Sequence, residues 1–384
     1  MIDTLAISGY RSLRDVVVPL GALTVITGAN GSGKSSIYRT LRLIADIADD
    51  GIIRSLAEEG GFSKVQWAGP ETISAAMRRG DVPVQGTVRN APTALKLGLS
   101  QEGVRYAIEL GLPPQDGTSL FNADPEIKAE TLWTGEAPRP SARIAERRGP
   151  SLKLRSDDGP MVQQAAILAP YDAMMRSVPG VGAAPELAEL ARSMSAWRFY
   201  DALRTDADAP VRQPQIGTRT LRLSADGSDL AAAVQTIFEV GDSDALLGAI
   251  DAAFPGCSVQ VVEAGGLFTV QMSQPGMLRA LSAQELSDGT LRFLLLACAL
   301  LAPRPAPLLV LNEPEASLHG ALIPALASLI DRARDDSQVI VVSHNRALVA
   351  SLLGIDADLV ELHKDLGETM VTASDLPPWT WPKR

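Results

Sequence analysis

Apolar positions alternate at the start of the chain. Leu5 and Ile7, then Val16 and Val18, predict two strands split by a turn at Gly9-Tyr10-Arg11-Ser12. Residues 20–27 form an apolar run that reads as a buried strand, and a glycine-rich segment follows directly. Beyond it, Ile37, Leu41, Ile44, Ala45 and Ala48 fall on one helical stripe. Short β-like runs at 82–88, 94–99, 104–110 and 151–154 are separated by Gly, Pro, Asn and Asp, and the Pro-rich stretch 116–142 reads as containing an irregular loop. Helical spacing then dominates. Leu187, Leu190, Ala191 and Met194 share a stripe, and Leu230, Val234, Ile237 and Phe238 follow a cap at Ser228 or Asp229. Runs at 259–262 and 268–272 predict a hairpin. Two helices (293–301, 322–333) and two buried strands (308–311, 339–342) complete the pattern.

This order predicts an α/β protein in three parts. Residues 1–80 and 266–384 make a discontinuous α/β domain, 81–160 a β-rich insertion, and 161–265 a mainly helical segment. No 20–50-residue repeat and no sustained heptad pattern is present, which disfavours a solenoid or a long coiled coil.

The glycine-rich segment is Gly28-Ala29-Asn30-Gly31-Ser32-Gly33-Lys34-Ser35-Ser36, and it fits G-x-x-x-x-G-K-[ST] in full. Glycines let backbone N–H groups turn inward around phosphate oxygens, and the following helix presents its positive end to the same anion. Lys34 is expected to reach the β- and γ-phosphates, and Ser35 to ligate Mg²⁺. A second motif, Leu308-Leu309-Val310-Leu311-Asn312-Glu313-Pro314-Glu315, is a buried strand with an acidic tip. Glu313 is expected to orient or deprotonate a water. Asn312 stands at the metal-side position, where an amide keeps an acceptor oxygen but lacks a charge. Glu285-Leu286-Ser287-Asp288-Gly289-Thr290 opens a helix, another anion-favouring terminus, and Val341-Val342-Ser343-His344-Asn345 is a second strand with a polar end.

Composition narrows the reading. Of 384 residues, 35 are Lys or Arg and 45 Asp or Glu, so the formal net charge of −10 argues against a generally basic nucleic-acid coat. Arg143, Arg147, Arg148, Lys153 and Arg155 read as a solvated loop, because Glu146, Asp157 and Asp158 interleave. Cys257 and Cys298 read as small buried apolar residues, and His319, His344 and His363 are too scattered for a zinc cluster. Ser343-His344 has no orienting acid and no strained elbow, so it is not read as a nucleophile pair. No apolar run reaches the roughly 20 residues that a spanning helix needs, and Met1-Ile2-Asp3 begins no secretory signal. A cytoplasmic protein without a membrane partner is therefore expected.

Phosphate loop, Leu-Ser-Asp-Gly, strand with Glu-Pro-Glu, then Ser-His is an order that resembles the ATP-binding-cassette heads of the RecF/SMC-like class. More narrowly, Trp197-Arg198-Phe199-Tyr200, the phrase 285–292, and Asn312-Glu313-Pro314-Glu315 with Ser317-Leu318-His319 resemble a family of bacterial AAA/RecF-like predicted ATPases that stand alone. In that family Asn at the metal-side position is common. The resemblance implies a P-loop ABC-type (RecF/SMC-like) ATPase head with a β-rich insertion and a helical segment. It implies ATP and Mg²⁺ as cofactors, slow hydrolysis, and a homodimer that closes on ATP binding. Asn30, Gly31, Ser32, Gly33, Lys34, Ser35 and Ser36 would bind the phosphates. Ser287, Asp288 and Gly289 would act in trans, Ala316-Ser317-Leu318 would lie at the dimer seam, Glu313 would polarise the water, and His344 would contact the γ-phosphate. Arg11, an exposed turn residue on its own pattern, would approach the nucleotide. Ser35 and Asn312 would face Mg²⁺, and Gln66 is the only candidate for the glutamine that would sense it.

The same resemblance orders the function classes. Lys34 and Ser287 are 253 residues apart, wider than a compact transporter cassette, and Pro and Gly break the insertion where long SMC arms would run. Only 40 residues follow His344, which leaves no room for a fused nuclease. Two outputs remain open. One is a dimerising ATPase acting on DNA in repair or phage defence. The other is an ATP-gated scaffold that holds or releases a protein effector.

Overall fold

The structure is a computed structural model and describes residues 1–49, 51–85, 94–156, 159–177, 184–201 and 203–383. The chain opens with β1 (Ile2–Tyr10), β2 (Leu13–Pro19) and β3 (Leu23–Gly28), followed by α1 (Lys34–Ala48). Short helices α2 (Ile52–Glu58), α3 (Phe62–Val65) and α4 (Ala75–Arg78) come next. Six strands follow: β4 (Leu95–Gln101), β5 (Val104–Gly111), β6 (Glu126–Thr134), β7 (Arg143–Arg148), β8 (Ser151–Arg155) and β9 (Met161–Ile167). Helices α5 (Met174–Ser177) and α6 (Pro185–Ser195) precede the short strands β10 (Arg198–Tyr200) and β11 (Gln215–Ile216). Then come α7 (Leu230–Val240), α8 (Ser243–Ala253), the hairpin β12 (Ser258–Ala264) and β13 (Leu267–Ser273), and β14 (Leu281–Ser282). An alternating stretch holds α9 (Asp288–Leu300), β15 (Leu308–Asn312), α10 (Ile323–Ala333), β16 (Gln338–Val342) and α11 (Arg346–Leu353). The hairpin β17 (Asp358–Asp365) and β18 (Glu368–Thr372) completes the order.

The chain forms two compact units. The first comprises 1–21, 26–196 and 359–384, and the second 22–25 and 197–358, so β3 contributes to both.

In the first unit an antiparallel sheet runs in the order β2-β1-β4-β5-β6-β7-β8-β9. The segment expected as a β-rich insertion thus continues the sheet begun by the opening hairpin, through β1–β4 pairs such as Leu5 with Leu99. The run expected at 82–88 is not a strand over 82–85, and the rest of it lies outside the described residues. The polar stretch 116–142 contains β6, whose Leu132 and Trp133 are fully buried. Packing outweighs the Pro-rich flanks there. The five basic residues expected in a solvated loop are instead on β7 and β8, or at their ends. Arg147 is fully buried against Glu130 at 2.9 Å, while Arg143 and Arg148 both donate to Glu146. Asp157 and Asp158 lie outside the described residues. The C-terminal segment lies on this sheet: Trp379 fills the space above Gly98, where a Cβ would come within 2.3 Å of its ring, and stacks at a tilt on Trp133.

In the second unit β10, β15 and β16 are parallel neighbours, with the first half of β3 beyond β16. These strands are buried on both faces, and their continuous apolar runs follow from that. Helix α9 is apolar nearly all round and buried from Thr290 to Leu300, as a helix inside a core must be. A smaller antiparallel sheet, β11-β13-β12 with β14 on β13, belongs to the same unit. The segment expected as mainly helical holds α5 to α8 and also β9 to β12. The cap of α7 is Asp229, whose carboxylate accepts from the Ser224 backbone rather than from its own helix. Cys298 is buried and Cys257 half-buried, both as free thiols.

Candidate functional site

The phosphate loop is built in the first unit. β3 ends at Gly28 and α1 begins at Lys34, and Gly28, Gly31 and Gly33 all adopt positive φ (149°, 77° and 115°). Side chains are excluded by contact as well as by torsion. A Cβ on Gly28 would meet the Leu362 carbonyl at 2.3 Å, and one on Gly33 the Thr369 hydroxyl at 2.4 Å. The Lys34 ammonium is folded back on the loop, donating to the carbonyls of Gly28 (2.7 Å) and Ala29 (3.2 Å). The loop is tightened by Ser32 N–H on the Ala29 carbonyl at 3.1 Å. Ser36 and Ile37 N–H groups already bond to the Gly33 carbonyl. Asn30, Gly31 and Ser35 are exposed, whereas Ser32 is 3 % exposed. The Ser32 hydroxyl oxygen is buried with no hydrogen-bond partner. A polar group so placed at the mouth of a 15-residue helix is suited to an oxyanion.

Arg11 also belongs to this unit. It sits in the left-handed region (φ 48°), with its N–H on the Val65 carbonyl and its guanidinium on Glu59. It is not the exposed turn residue that the local pattern suggests: two-thirds of its side chain is covered. Tyr10 donates to the same Glu59 at 2.7 Å, and burial, the largest influence, raises the Tyr10 pKa far above the usual phenol range. Gln66 pairs with Tyr10 through an isolated bridge, so the structure brings Gln66 and Arg11 to one turn.

The acidic strand end and the Ser-Asp-Gly motif belong to the second unit. Asn312 ends β15 opposite Val342, and the next residue, Glu313, turns into the left-handed region (φ 47°). That conformation is costly for a residue other than glycine and is characteristic of functional turns. It is held by two bonds: Glu313 N–H donates to the Val342 carbonyl at 2.8 Å, and buried Arg292 donates to the Glu313 carbonyl at 3.0 Å. The Glu313 carboxylate contacts His344 Nδ1. Beside them Ser343 donates to the buried carboxyl of Glu315. Burial pushes the Glu315 pKa up, more strongly than the Ser343 hydrogen bond lowers it.

Ser287 caps α9, accepting from the Thr290 N–H at 3.1 Å. Asp288 pairs with Arg212 at 2.6 Å. Gly289 faces Ser317, whose carbonyl would lie 2.9 Å from an added Cβ, so the Ser-Asp-Gly turn and the Ala316-Ser317-Leu318 turn are packed together. Sequence reasoning missed two supports. Arg212, 8 % exposed, donates to the carbonyls of Ala283, Gln284 and Leu286 as well as to Asp288. Thr369 braces Ser32. Neither sits in a motif, and nothing in the local pattern marks them.

A family model described as "AAA domain, putative AbiEii toxin, Type IV TA system" matches residues 23–350, most of the chain. The chain belongs to that family of AAA ATPase domains. Among solved structures, one described as the SmcHead bound to the C-winged helix domain of ScpA superposes with a TM-score of 0.53 at 16% identity, covering 97% of each chain. The SMC head domain from Thermotoga maritima gives 0.48 at 16% identity, over 98% of this chain and 99% of that one. The fold is therefore that of the P-loop ABC-type SMC head, as the sequence resemblance implies. An OLD nuclease of Thermus scotoductus is 43% identical over 44 residues, which is 12% of this chain and 8% of that protein's length. Among the described residues, no helix is long and apolar enough to cross a membrane.

Proposed function

We propose that the chain binds ATP with Mg²⁺, hydrolyses it slowly, and alternates between an ATP-closed homodimer and open chains. The observation that carries this reading is the buried, partnerless Ser32 hydroxyl within a glycine-lined turn at the start of α1. Residues 30–36 cradle the phosphates, and Lys34 leaves the Gly28 and Ala29 carbonyls to neutralise the β- and γ-phosphates. Ser35 and Asn312 would hold Mg²⁺, with Gln66 as the candidate sensor. The ion, when bound, supplies Lewis-acid stabilisation of phosphate charge. Glu313 accepts a proton from the attacking water, and His344, already on the Glu313 carboxylate, orients it and reaches the γ-phosphate. Ser287, Asp288 and Gly289 serve the nucleotide of the second copy through the N-terminus of α9. Arg11 reaches nucleotide once released from Glu59.

The output of the cycle is a conformational change delivered to DNA, in repair or defence. A second reading, the ATP-gated scaffold for a protein effector, is favoured by a specific observation. The three arginines of β7 are paired within the protein, Arg147 with Glu130 and Arg143 and Arg148 with Glu146, and the net charge is −10. A weak metal side at Asn312 suits a switch with little turnover.

The test is phosphate release per chain as protein concentration rises in Mg²⁺–ATP, with Glu313→Gln as blank. A per-chain rate that climbs with concentration and vanishes in the variant supports the composite, dimerising ATPase. A rate equal to the blank removes hydrolysis from the proposal. Stimulation by DNA separates the two outputs.

A further inference from the structure

The second unit carries a cluster of donors that the proposed nucleotide chemistry does not fully use. Glu313, Glu315 and His344 each offer one ligand atom, and the three atoms lie within 4.8 Å of one another. The two carboxyls lie against each other, and the imidazole Nδ1 meets Glu313. With both carboxyls ionised, such a grouping sets two negative charges side by side, which a cation or a shared proton relieves. Arg292 is buried nearby and feels the Glu315 charge, but its hydrogen bonds go to the carbonyls of Leu203, Glu313 and Pro314 and leave both carboxyls without a donor from it.

A second observation points the same way. Glu315 is 6 % exposed, and while Ser343 donates to its Oε1, its Oε2 is buried with no hydrogen-bond partner. A carboxylate oxygen left bare at that depth is rare unless something absent from the protein answers it. The cluster is also fixed rather than floppy. Glu313 is locked in its left-handed turn, Ser343 is fully buried, and both follow adjacent parallel strands whose register is set by the Asn312–Val342 pair.

We infer that Glu313, Glu315 and His344 form a binding site for a divalent transition metal, separate from the Mg²⁺ that accompanies nucleotide. Two carboxylate oxygens and one imidazole nitrogen suit Mn²⁺ or Zn²⁺, and the imidazole disfavours Mg²⁺ and Ca²⁺, which prefer oxygen alone. His344 is 60 % exposed, so water completes the coordination and the ion enters from solvent. An ion held here engages the Glu313 carboxylate and suppresses hydrolysis. That consequence rests on the proposed role of Glu313; the binding site does not.

The experiment titrates the full, nucleotide-free chain with Mn²⁺ and follows the free ion by its paramagnetic resonance signal. One ion binds per chain, with affinity at least about tenfold weaker in Glu315→Gln and in His344→Asn. Lys34→Ala, which disables the phosphate loop, leaves the affinity unchanged, so failure of this site and failure of the nucleotide reading are separable. Absence of bound Mn²⁺ at millimolar concentration overturns the inference and leaves a proton shared between the carboxyls. Binding equal to wild type in either variant overturns it too. Where Glu315→Gln does not fold, the exposed His344→Asn decides alone.

Discussion

The Thr369 hydroxyl donates to the Ser32 carbonyl at 2.7 Å and lies 2.8 Å from the Ser12 hydroxyl, so β18 braces the phosphate loop from 337 residues away. The backbone of Thr369 is itself tied down by its N–H on the Ser12 carbonyl at 2.8 Å. The same side chain fills the volume a Cβ on Gly33 would need. Thr369→Val keeps the shape and removes the donor, leaving the Ser32 carbonyl unanswered at a cost of about 1–3 kcal/mol. ATP affinity is expected to fall about tenfold, since each 1.4 kcal/mol is a factor of ten. Titration with a fluorescent ATP analogue measures this, with Thr369→Ser as the variant that restores binding. Equal affinity in Thr369→Val would mean the loop holds its own shape.

Thr369 shows what the sequence can and cannot reveal. The loop at 28–36 is legible because glycine spacing, a strand before and a stripe after are all local, and β15, β16 and α9 are legible from continuous apolar runs. Arg212 and Thr369 are not, because each works by reaching segments far along the chain, and a lone Arg or Thr has no periodicity. The eight-stranded sheet was hidden for the same reason. Pairing β1 with β4 joins residues about ninety positions apart, and nothing local distinguishes an inserted sheet from a continued one. The basic run at 143–155 misled because charge alone does not say which side chain is turned inward; Arg147 is turned in against Glu130, a partner 17 residues away that nothing local marks.

Arg212 organises the approach to α9. Its guanidinium donates to the carbonyls of Ala283, Gln284 and Leu286 at 3.1, 3.2 and 2.8 Å and to the Asp288 carboxylate at 2.6 Å, while its Nε donates to the Thr205 and Asp206 carbonyls. Arg212→Lys keeps the charge but cannot make that planar fan. Under the dimer reading the variant is expected to retain ATP affinity, because the phosphate loop is intact, and to lose the rise of hydrolysis with protein concentration. Equilibrium nucleotide binding and steady-state phosphate release, taken on one preparation, decide it. Unchanged hydrolysis would show that the 283–288 segment needs no such tether.

The first unit contains a fully buried ion pair whose disruption should be costly. Glu130 and Arg147 are both fully buried, and Glu130 also accepts from the Tyr106 hydroxyl at 2.6 Å and the Met174 N–H at 2.9 Å. Glu130→Ala strands the Arg147 charge and is expected to cost about 3–5 kcal/mol. Tyr106→Phe removes one hydrogen bond to a charged group and should cost about 1.5–3 kcal/mol. Urea denaturation of both variants gives the ranking, and an Ala variant within error of Tyr106→Phe would contradict the pairing.

Glu368 gives the protein an acid-sensitive clamp. Burial alone raises its pKa, but hydrogen bonds from Arg14 and Arg78 outweigh that and hold the carboxyl below the usual carboxylate value of 4.5. The sign follows from the number of protons each state binds. Below pH 4.5 the unfolded chain takes up a proton at this position before the folded protein does, so stability falls as pH falls. The contribution is full above pH 4.5 and is lost as pH drops through the folded value. Glu368→Gln has no charge to lose, so it is less stable than wild type at neutral pH, and the gap between the two narrows on acidification. Because Glu368 precedes Thr369, the same clamp positions the brace on Ser32, and the variant should also weaken ATP binding at neutral pH. Urea midpoints for both proteins at pH 7, 5, 4 and 3 test the linkage, since every other carboxylate cancels in the difference. A gap that stays constant over that range would show that Arg14 and Arg78 hold Glu368 by shape and not by charge.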